Sequence, residues 1–416
     1  MPNIISENCI ELISDLHFSQ ANPILLVKSL SGRISAYDAM KGISVAEDET
    51  TNGFTLESQV LASFKQYNAM LISRPRFAGL CIEKGLHVPA MLNDFVHAIG
   101  FDAKISEYNF DSIRKILRHS NAVMIRDGTV ITCGKSEQDA YTSLAVLESE
   151  AEILLKAPVI GDPKPLSRLN ITLERLLDSI KRPKRRVNKK LPAANDYNCS
   201  KQKLNDIYGH DSVCGKSEID IANDKRNIFI SDHEIEIRKL IVEYANKMVD
   251  FNMLRGSDGN ISVRLDNKYM LCTPSGRDYR TLKSDETVKV NIKTLEYQGG
   301  LRPTSEKALH ASIYLAYPEA GAIIHTHSKY CCMYAVCEQS LRPEPNGQTI
   351  FLCAKYAFGG TRKLAANTVA ALSDSYGAFL SHHGMIAYGK NLAEAVDRAD
   401  LMEDTARSII NTSWRP

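Results

Sequence analysis

One arrangement of strand, glycine turn and helix occurs twice in this chain, and it limits the fold more than any other feature. An apolar strand, a glycine turn, a Gly-Lys pair and a long helix follow one another in residues 116–154 and again in residues 371–410. A shorter pair agrees, since LVKSLSGRI (26–34) echoes LCTPSGRDY (271–279). Self-similarity of this kind indicates repeated copies of one structural unit. We therefore predict a tandem of two domains, in which the first is a degenerate copy of the second.

Length and composition agree with this division. A chain of 416 residues is longer than a single hydrophobic core usually supports. It is 44% hydrophobic and 24% charged with a formal charge of +2, which gives no global attraction for nucleic acid or membrane. No apolar stretch approaches the roughly 20 residues of a bilayer span, and the first residues lack a signal-peptide pattern. The ten cysteines include no Cys-x-x-Cys pair, which favours reduced thiols and a cytoplasmic protein.

The composition changes most sharply between the two predicted domains. Residues 181–227 begin basic, become polar and show no sustained apolar period. We interpret this segment as a linker between a first domain at residues 1–180 and a second at residues 228–416. Its basic run, Lys181 to Lys190, is explained by a solvated tether as well as by a nucleic-acid patch. We prefer the tether, so nucleic acid is not an expected partner.

Helices open and close the second domain. Ser231 and Glu234 fit a capping box, and Asn391 with Glu394 fits an N-cap. Apolar residues recur at helical spacing after the first cap, namely Ile237, Leu240, Ile241, Tyr244 and Met248. One apolar stripe follows the second cap, namely Leu392, Ala395, Val396, Ala399, Met402, Ala406 and Ile409. The second domain is therefore expected to lie between these two amphipathic helices.

Two apolar strands of the second domain end in histidines. His325 and His327 are alternate residues, and alternate side chains of a strand share one face. The later strand ends in His382, His383 and a glycine that lets the chain turn sharply. Three neutral imidazoles with an open position are typical of catalytic divalent-metal sites. The alternative for each histidine alone is a packed or hydrogen-bonded side chain.

Three other stretches offer groups that bind anions. GSDGNISVR and LCTPSGRDY combine a strand with a glycine turn whose backbone N–H groups and hydroxyls can contact an anion. Thr304, Ser305 and Glu306 begin a helix, and free N–H groups at a helix start favour phosphate. Taken alone, the first two residues fit an ordinary N-cap and Glu306 fits a capping-box glutamate.

These motifs, in this order, resemble the class II aldolase and adducin family. They are GSDGNISVR, TPSG, PTSE, HTH and HHG, spread over about residues 230–412, which is the whole second domain. The resemblance implies an α/β fold in which three layers, α/β/α, surround a mainly antiparallel sheet. It implies C4 tetramers with active sites between subunits. Its enzymes include metal-dependent aldolases and 4-epimerases of sugar phosphates.

The resemblance also assigns roles to single residues. It implies metal ligands at His325, His327 and His383, with Zn²⁺ as the usual cation, and it puts Glu306 at the position of the catalytic acid/base. It implies phosphate contacts from six residues, namely Gly259, Asn260, Ser275, Gly276, Thr304 and Ser305. In such a site the divalent ion acts as a Lewis acid toward an enediolate, and Glu306 moves a proton. The phosphate contacts hold the reacting carbons against the metal.

The family's catalytic tyrosines have no match here. Tyr330 and Tyr334 lie too early in the connection of residues 328–355, and the chain ends at Pro416 without room for a tyrosine-containing tail. An aldolase acting on a small, phosphorylated sugar is the favoured interpretation. A sugar-phosphate epimerase, dehydratase or decarboxylase on the same scaffold is an alternative. A non-catalytic, adducin-like assembly protein is another, although it would not need the metal ligands.

The first domain lacks these ligands. Where NAMLISRPR echoes the His325 strand, Ile72 and Arg74 replace the two histidines, and Arg126 and Asp127 replace the later pair. An arginine stays charged and cannot bind a cation, so we predict a pseudoenzyme domain. Two chains would then form a pseudo-tetrameric ring in which the first domain lends residues to a neighbouring pocket. Alternatively, it only stabilises the second domain.

Overall fold

The chain was analysed as a computed structural model, which describes residues 23–29, 31, 33–39, 43–47, 56–181, 231–344 and 347–415. They form a mixed α/β structure with two eight-stranded sheets. The predicted linker lies outside the described residues except for Lys181, which ends a helix, and so does the basic run through Lys190. Within the described ranges, no helix combines the length and apolar character needed to cross a membrane.

The first sheet lies in the first half of the chain. Its strands are β1 Ile24–Lys28, β2 Ile34–Asp38, β3 Ile43–Glu47, β4 Ala69–Ser73, β5 Val88–Pro89, β6 Asp102–Ser106, β7 Ala122–Ile125 and β8 Val130–Gly134. The helices around it are α1 Leu56–Ala62, α2 Arg76–Glu83, α3 Asn93–Ala98, α4 Phe110–Leu117, α5 Glu137–Lys156 and α6 Arg168–Lys181. The strand order is β3-β2-β1-β4-β8-β7-β6-β5, and only β6 and β7 pair in parallel.

The second sheet lies in the second half. Its strands are β9 Asn260–Arg264, β10 Tyr269–Cys272, β11 Val288–Asn291, β12 Tyr297–Gln298, β13 Ala322–Thr326, β14 Cys353–Ala354, β15 Gly377–Leu380 and β16 Gly384–Gly389. Its helices are α7 Asp232–Asp250, α8 Lys307–Ala316, α9 Lys329–Cys337, α10 Arg362–Leu372 and α11 Leu392–Ser413. The order is β12-β11-β10-β9-β13-β16-β15-β14, and only β14 and β15 are parallel.

The two sheets arrange their central strands in the same way. Strand β4 lies between β1 and β8, and β13 lies between β9 and β16, with antiparallel pairing throughout. The predicted correspondence between residues 26–34 and residues 271–279 is wrong, because the two segments do not occupy equivalent positions in their sheets. The earlier segment runs from β1 into β2, whereas the later one leaves β10. The two segments therefore occupy different places in their sheets.

Helices cover both faces of each sheet. Successive strand residues point to opposite sides, so each central strand contributes to a buried cluster on each face. Met70 and Leu71 of β4 belong to two different buried clusters, and so do Ile323 and Ile324 of β13. One cluster in each pair contains the long helix that follows the last central strand, α5 or α11. Each half is therefore a mainly antiparallel sheet with helices packed against it.

The helices that bound the second half begin where the caps predict. Ser231 accepts a hydrogen bond from the backbone N–H of Glu234 at 3.2 Å, and Asn391 accepts one from Glu394 at 2.9 Å. The apolar stripes extend less far than predicted, since Leu240 and Ile409 are each 38% exposed. Near the end of α11, the drift of the helical face buries Ile410 in place of Ile409.

The two halves share part of their apolar core. Four residues of the first half belong to the same buried cluster as helices α9 and α11, namely Met91, Leu92, Ile153 and Ala157. Two of them directly precede α3, so burying them holds the start of that short helix against the second half. This packing brings α3 to the strand ends that carry the histidines.

Candidate functional site

Three imidazoles meet at the ends of the central strands of the second sheet. His325 lies in β13, His327 follows that strand, and His383 lies in the turn between β15 and β16. Their ligand atoms all lie within 4.8 Å of one another, and the Nε2 atoms of His325 and His327 are 3.0 Å apart. Over the described part of the chain, this is the only group of three or more His, Cys, Asp or Glu residues with metal-binding spacing.

Two glycines allow the strands to approach closely enough for this meeting. Gly259 has a φ of +73°, and a Cβ there would lie 2.5 Å from the carbonyl oxygen of His325. Gly384 has a φ of +156°, and a Cβ there would lie 2.3 Å from the carbonyl oxygen of Thr326. A side chain at either position would push its segment away from β13.

The two adjacent histidines of the turn face different ways. The ring centroid of His383 lies 4.8 Å from that of His325 and 5.0 Å from that of His327. His382 has a left-handed φ of 60°, and its Nδ1 is 2.7 Å from the carbonyl oxygen of Met91. His383 is therefore the third candidate ligand, whereas His382 contacts the first half.

Glu306 faces the histidines and does not cap helix α8. Its Oε2 lies 3.1 Å from His325 Nε2 and accepts a hydrogen bond from Asn260 Nδ2 at 3.2 Å. Its Oε1 lies 3.5 Å from His383 Nε2 and is buried without a hydrogen-bond partner. The local turn is instead closed by Thr304, whose Oγ1 accepts a hydrogen bond from the Glu306 N–H at 3.2 Å.

Burial and neighbouring charges set the protonation of these groups. Burial lowers the pKa of His383 to about 3, which keeps the imidazole neutral and able to bind a cation. Burial opposes ionisation of Glu306, but the imidazoles of His325 and His383 outweigh it and lower the pKa of Glu306 to about 2. His327 behaves differently, because Asp94 overcomes the effect of burial and raises the pKa of His327 to about 9. A bound cation would have to displace that proton.

The donor set fits one divalent cation. Neutral imidazole nitrogens are good ligands for zinc and related metals. The Nε2 atoms of His325 and His327 lie 3.0 Å apart, so a cation that displaced the proton between them could bind both lone pairs. The unpartnered Oε1 of Glu306 provides a negative donor at the same point. Three histidines beside a buried carboxylate can therefore hold a catalytic metal.

All the predicted anion-binding residues lie on one cavity with the histidines and Glu306. The cavity has a volume of about 220 Å³, and its wall includes Gly259, Asn260, Ser275, Gly276, Thr304 and Ser305. Gly276 has a φ of +71°, and nothing lies within 4 Å of the place a Cβ would take, so this turn is open toward a ligand. The side-chain amide of Asn260 already donates a hydrogen bond to the carboxylate of Glu306.

Residues of the first half complete the cavity wall, and sequence reasoning missed them. They are Asn93, Asp94, His97 and Glu174. Asp94 is the most direct contact, with its Oδ2 2.6 Å from His327 Nδ1. The stretch around it has no recognisable motif, so only the packing of α3 reveals its place. Among the described residues that line the cavity there is no tyrosine.

The corresponding strand ends of the first sheet hold an ion pair instead. Arg74 follows β4, and its guanidinium lies 3.3 Å from the carboxylate of Asp127 in the turn between β7 and β8. Arg126 pairs with Glu107. A guanidinium is itself a cation and has no lone pair to donate. These residues therefore cannot form the histidine arrangement of the second sheet.

Comparison with known proteins identifies the family. Residues 239–410 match the class II aldolase and adducin N-terminal domain. The L-fuculose phosphate aldolase of Haemophilus influenzae is 32% identical over 176 residues, which cover 40% of this chain and 79% of that protein. The 5-methylthioribulose-1-phosphate/5-deoxyribulose-1-phosphate aldolase of Rhodospirillum rubrum is 31% identical over 190 residues, 44% of this chain and 81% of that protein.

The fold and site of the second half define an α/β protein with a candidate metal centre. The chain belongs to the class II aldolase and adducin family through this half. A solved structure of L-fuculose 1-phosphate aldolase is 27% identical, covers 42% of this chain and 86% of that chain, and has a TM-score of 0.40.

Proposed function

We propose that the second half is a metal-dependent aldolase that acts on a small, phosphorylated sugar. The observation that carries this proposal is the meeting of His325, His327 and His383 beside Glu306 in one cavity. The two relatives named above are aldolases of sugar phosphates by name, which supports the same substrate class here.

The histidines and Glu306 divide the chemistry between them. When bound at the three imidazoles, a divalent cation such as Zn²⁺ supplies Lewis-acid stabilisation of negative charge on the substrate. Glu306 is ionised, and its buried Oε1 has no hydrogen-bond partner, so this oxygen is positioned to accept a proton from a substrate hydroxyl and return it. Asn260 holds the other carboxylate oxygen and thereby orients the group.

The remaining cavity residues are suited to hold a phosphate. Ser275, Thr304 and Ser305 supply hydroxyl groups to the cavity wall, and Gly276 lies beside the first of them. Thr304 and Ser305 directly precede Glu306 and helix α8, and the N-terminal end of a helix dipole favours negative charge. Fixing the phosphate would place the reacting carbons against the histidines.

Metal analysis and a substrate panel test this function together. We expect divalent metal in the purified wild-type protein and its loss in His327→Ala. A panel of ketose phosphates should release an aldehyde with the wild-type protein only. Metal retained by the variant would show that His327 is not a ligand.

Epimerisation is the second candidate function, because no tyrosine lines the described cavity to act as a second acid. Epimer formation without aldehyde release would favour it.

We further propose that the first half, predicted as residues 1–180, is a degenerate copy of the half at residues 228–416. The shared strand order supports this, as does the Arg74–Asp127 pair at the strand ends that carry histidines in the second sheet. Two chains would then place four copies around a pseudo-fourfold axis. The mass of the active protein in solution tests the ring, since full activity as a monomer would contradict it.

A further inference from the structure

The outward nitrogens of two candidate ligands both have hydrogen-bond acceptors. His325 Nδ1 lies 2.8 Å from the carbonyl oxygen of Met385, within the second half. His327 Nδ1 lies 2.6 Å from Asp94 Oδ2, a carboxylate that comes from the first half. An imidazole that donates its Nδ1–H keeps the Nε2 lone pair for a metal. Both contacts therefore direct the Nε2 atoms of the two rings toward the cluster, where a cation can bind once it displaces the proton on His327.

Asp94 is held in place by several contacts of the short segment that contains it. The backbone N–H of Met91 donates to Oε1 of the buried Glu150 at 2.5 Å. The backbone N–H of Asn93 donates to the carbonyl oxygen of His382 at 3.1 Å, while His382 Nδ1 donates to the carbonyl oxygen of Met91 at 2.7 Å. This reciprocal pair ties the start of α3 to the residue next to His383.

Asp94 lies outside the residues that match the family, 239–410. The match to the Haemophilus influenzae aldolase covers 79% of that protein with 40% of this chain. The unmatched fifth of that protein is too short to hold a domain such as residues 56–181. In this chain the carboxylate at His327 therefore comes from a segment that the family match does not cover.

We propose that Asp94 is a positioning residue for His327, so that the first half completes the metal site of the second half within one chain. The carboxylate fixes the rotation of the imidazole ring and the nitrogen that carries its proton. Carboxylates in this position also make the ligand nitrogen more basic. The inference rests on the proposed metal site, and it gives the first half a function beyond stabilising its neighbour.

Cobalt binding to the full-length protein tests this role without relying on activity. Wild-type protein and the variants Asp94→Asn, Asp94→Ala and Asp94→Glu are stripped of metal and titrated with Co²⁺ against a competing chelator. We expect the Asn and Ala variants to bind Co²⁺ about 10–100-fold more weakly, the usual effect of losing such a partner. The Glu variant should recover part of the loss. The visible spectrum of bound Co²⁺ should also change in Asp94→Ala, since the ring is no longer oriented.

A matched control separates this role from a general weakening of the contact between halves. Lys164 pairs with Glu338 across the same junction at 2.5 Å and does not line the cavity, so Lys164→Ala should bind Co²⁺ as wild type does. Equal losses in Lys164→Ala and Asp94→Ala would overturn the inference, and so would wild-type affinity in Asp94→Ala. If Asp94→Ala is unfolded by circular dichroism, the Asn variant decides by the same criteria.

The two proposals fail in different ways in this experiment. Wild-type protein that binds Co²⁺ tightly but cleaves no ketose phosphate would contradict the proposed function and leave the role of Asp94 supported. Wild-type affinity in a folded Asp94→Asn variant would contradict the role of Asp94 and leave the proposed function in place.

Discussion

The ends of β4 and β13 hold the same place in two sheets of the same strand order, but they carry opposite chemistry. At the end of β13, three imidazoles and a buried carboxylate face one point. After β4, the Arg74 guanidinium sits against Asp127, so the positive charge belongs to the protein itself. The comparison shows that a shared backbone does not determine a metal site. Whether a strand end binds a cation depends on whether its side chains donate lone pairs or carry the charge.

The largest expected effect is the removal of a ligand from the second sheet. His325→Ala should lose the metal and reduce activity to background, a greater loss than the about 10–100-fold effect of an outer partner. Metal content after dialysis and aldehyde release measure it. The matched control is Ile72→Ala at the same position of β4, which should bind metal as wild type does. Metal loss in that control would contradict the contrast between the strand ends.

The next effect concerns proton transfer. Glu306→Gln keeps an oxygen for the Asn260 hydrogen bond but removes the basic carboxylate, so kcat should fall about 10²–10⁴-fold with metal still bound. Steady-state kinetics on metal-loaded protein measure it. An unchanged kcat would exclude Glu306 as the acid/base.

A third prediction compares two glycines of the second half with similar positive φ. Gly259→Ala should lower the free energy of unfolding by about 2–4 kcal/mol, because its Cβ would strike the His325 carbonyl oxygen at 2.5 Å. Gly276→Ala meets no atom within 4 Å and should cost only the left-handed strain of about 1–2 kcal/mol. Urea unfolding measures both. Equal losses would mean that β9 does not need its close approach to β13.

A fourth prediction concerns pH, because the pKa values of two buried carboxyl groups, one in each half, are shifted in opposite directions. Burial raises the pKa of Glu150 to about 8, whereas the imidazoles lower that of Glu306. Between about pH 5 and pH 8 the unfolded chain has released the Glu150 proton and the folded chain keeps it, so this group makes stability fall as pH rises.

Glu150→Gln should therefore flatten the decline of stability over that pH range, while its oxygen still accepts the backbone N–H groups of Met91 and Leu92. One such proton can change the free energy of unfolding by at most about 1.4 kcal/mol per pH unit. Urea unfolding at pH 5, 6.5 and 8 measures it. An identical slope in the variant would show that Glu150 is ionised in the folded chain.

The smallest effect should come from the ion pair of the first sheet. Arg74 and Asp127 have side chains 39% and 51% exposed, so solvent screens their attraction. Arg74→Met should change the free energy of unfolding by less than about 1 kcal/mol and leave the metal content unchanged. Thermal unfolding and metal analysis measure it. A larger loss would mean that the pair is structurally required.

Local signals predicted much of the fold. The caps at Ser231 and Asn391 depend on side chains a few residues from their partners, so both helix starts could be read from the sequence. The apolar strands that end in histidine could also be predicted, because the alternation of side chains along a strand and a glycine turn are short-range features of the sequence. The echo assigned to residues 26–34 failed because turn composition does not fix a strand's place in a sheet.

The site could be predicted only where its residues lie in motifs. His325, His327, His383 and Glu306 stand in short motifs, and the structure brings all four together. Asp94 is separated from His327 by 233 residues and lies in no motif. Its contact depends on how the two halves pack, through burial of the residues just before α3. Such contacts have no local signature in a sequence.

The most direct test of the central claim is the number of divalent ions held per chain. Wild-type protein and His383→Ala would be loaded with Zn²⁺, dialysed and measured by atomic emission against protein concentration. A metal site in the second half alone predicts about one ion per wild-type chain and none in the variant. Two ions per chain, or an ion retained without His383, would contradict it.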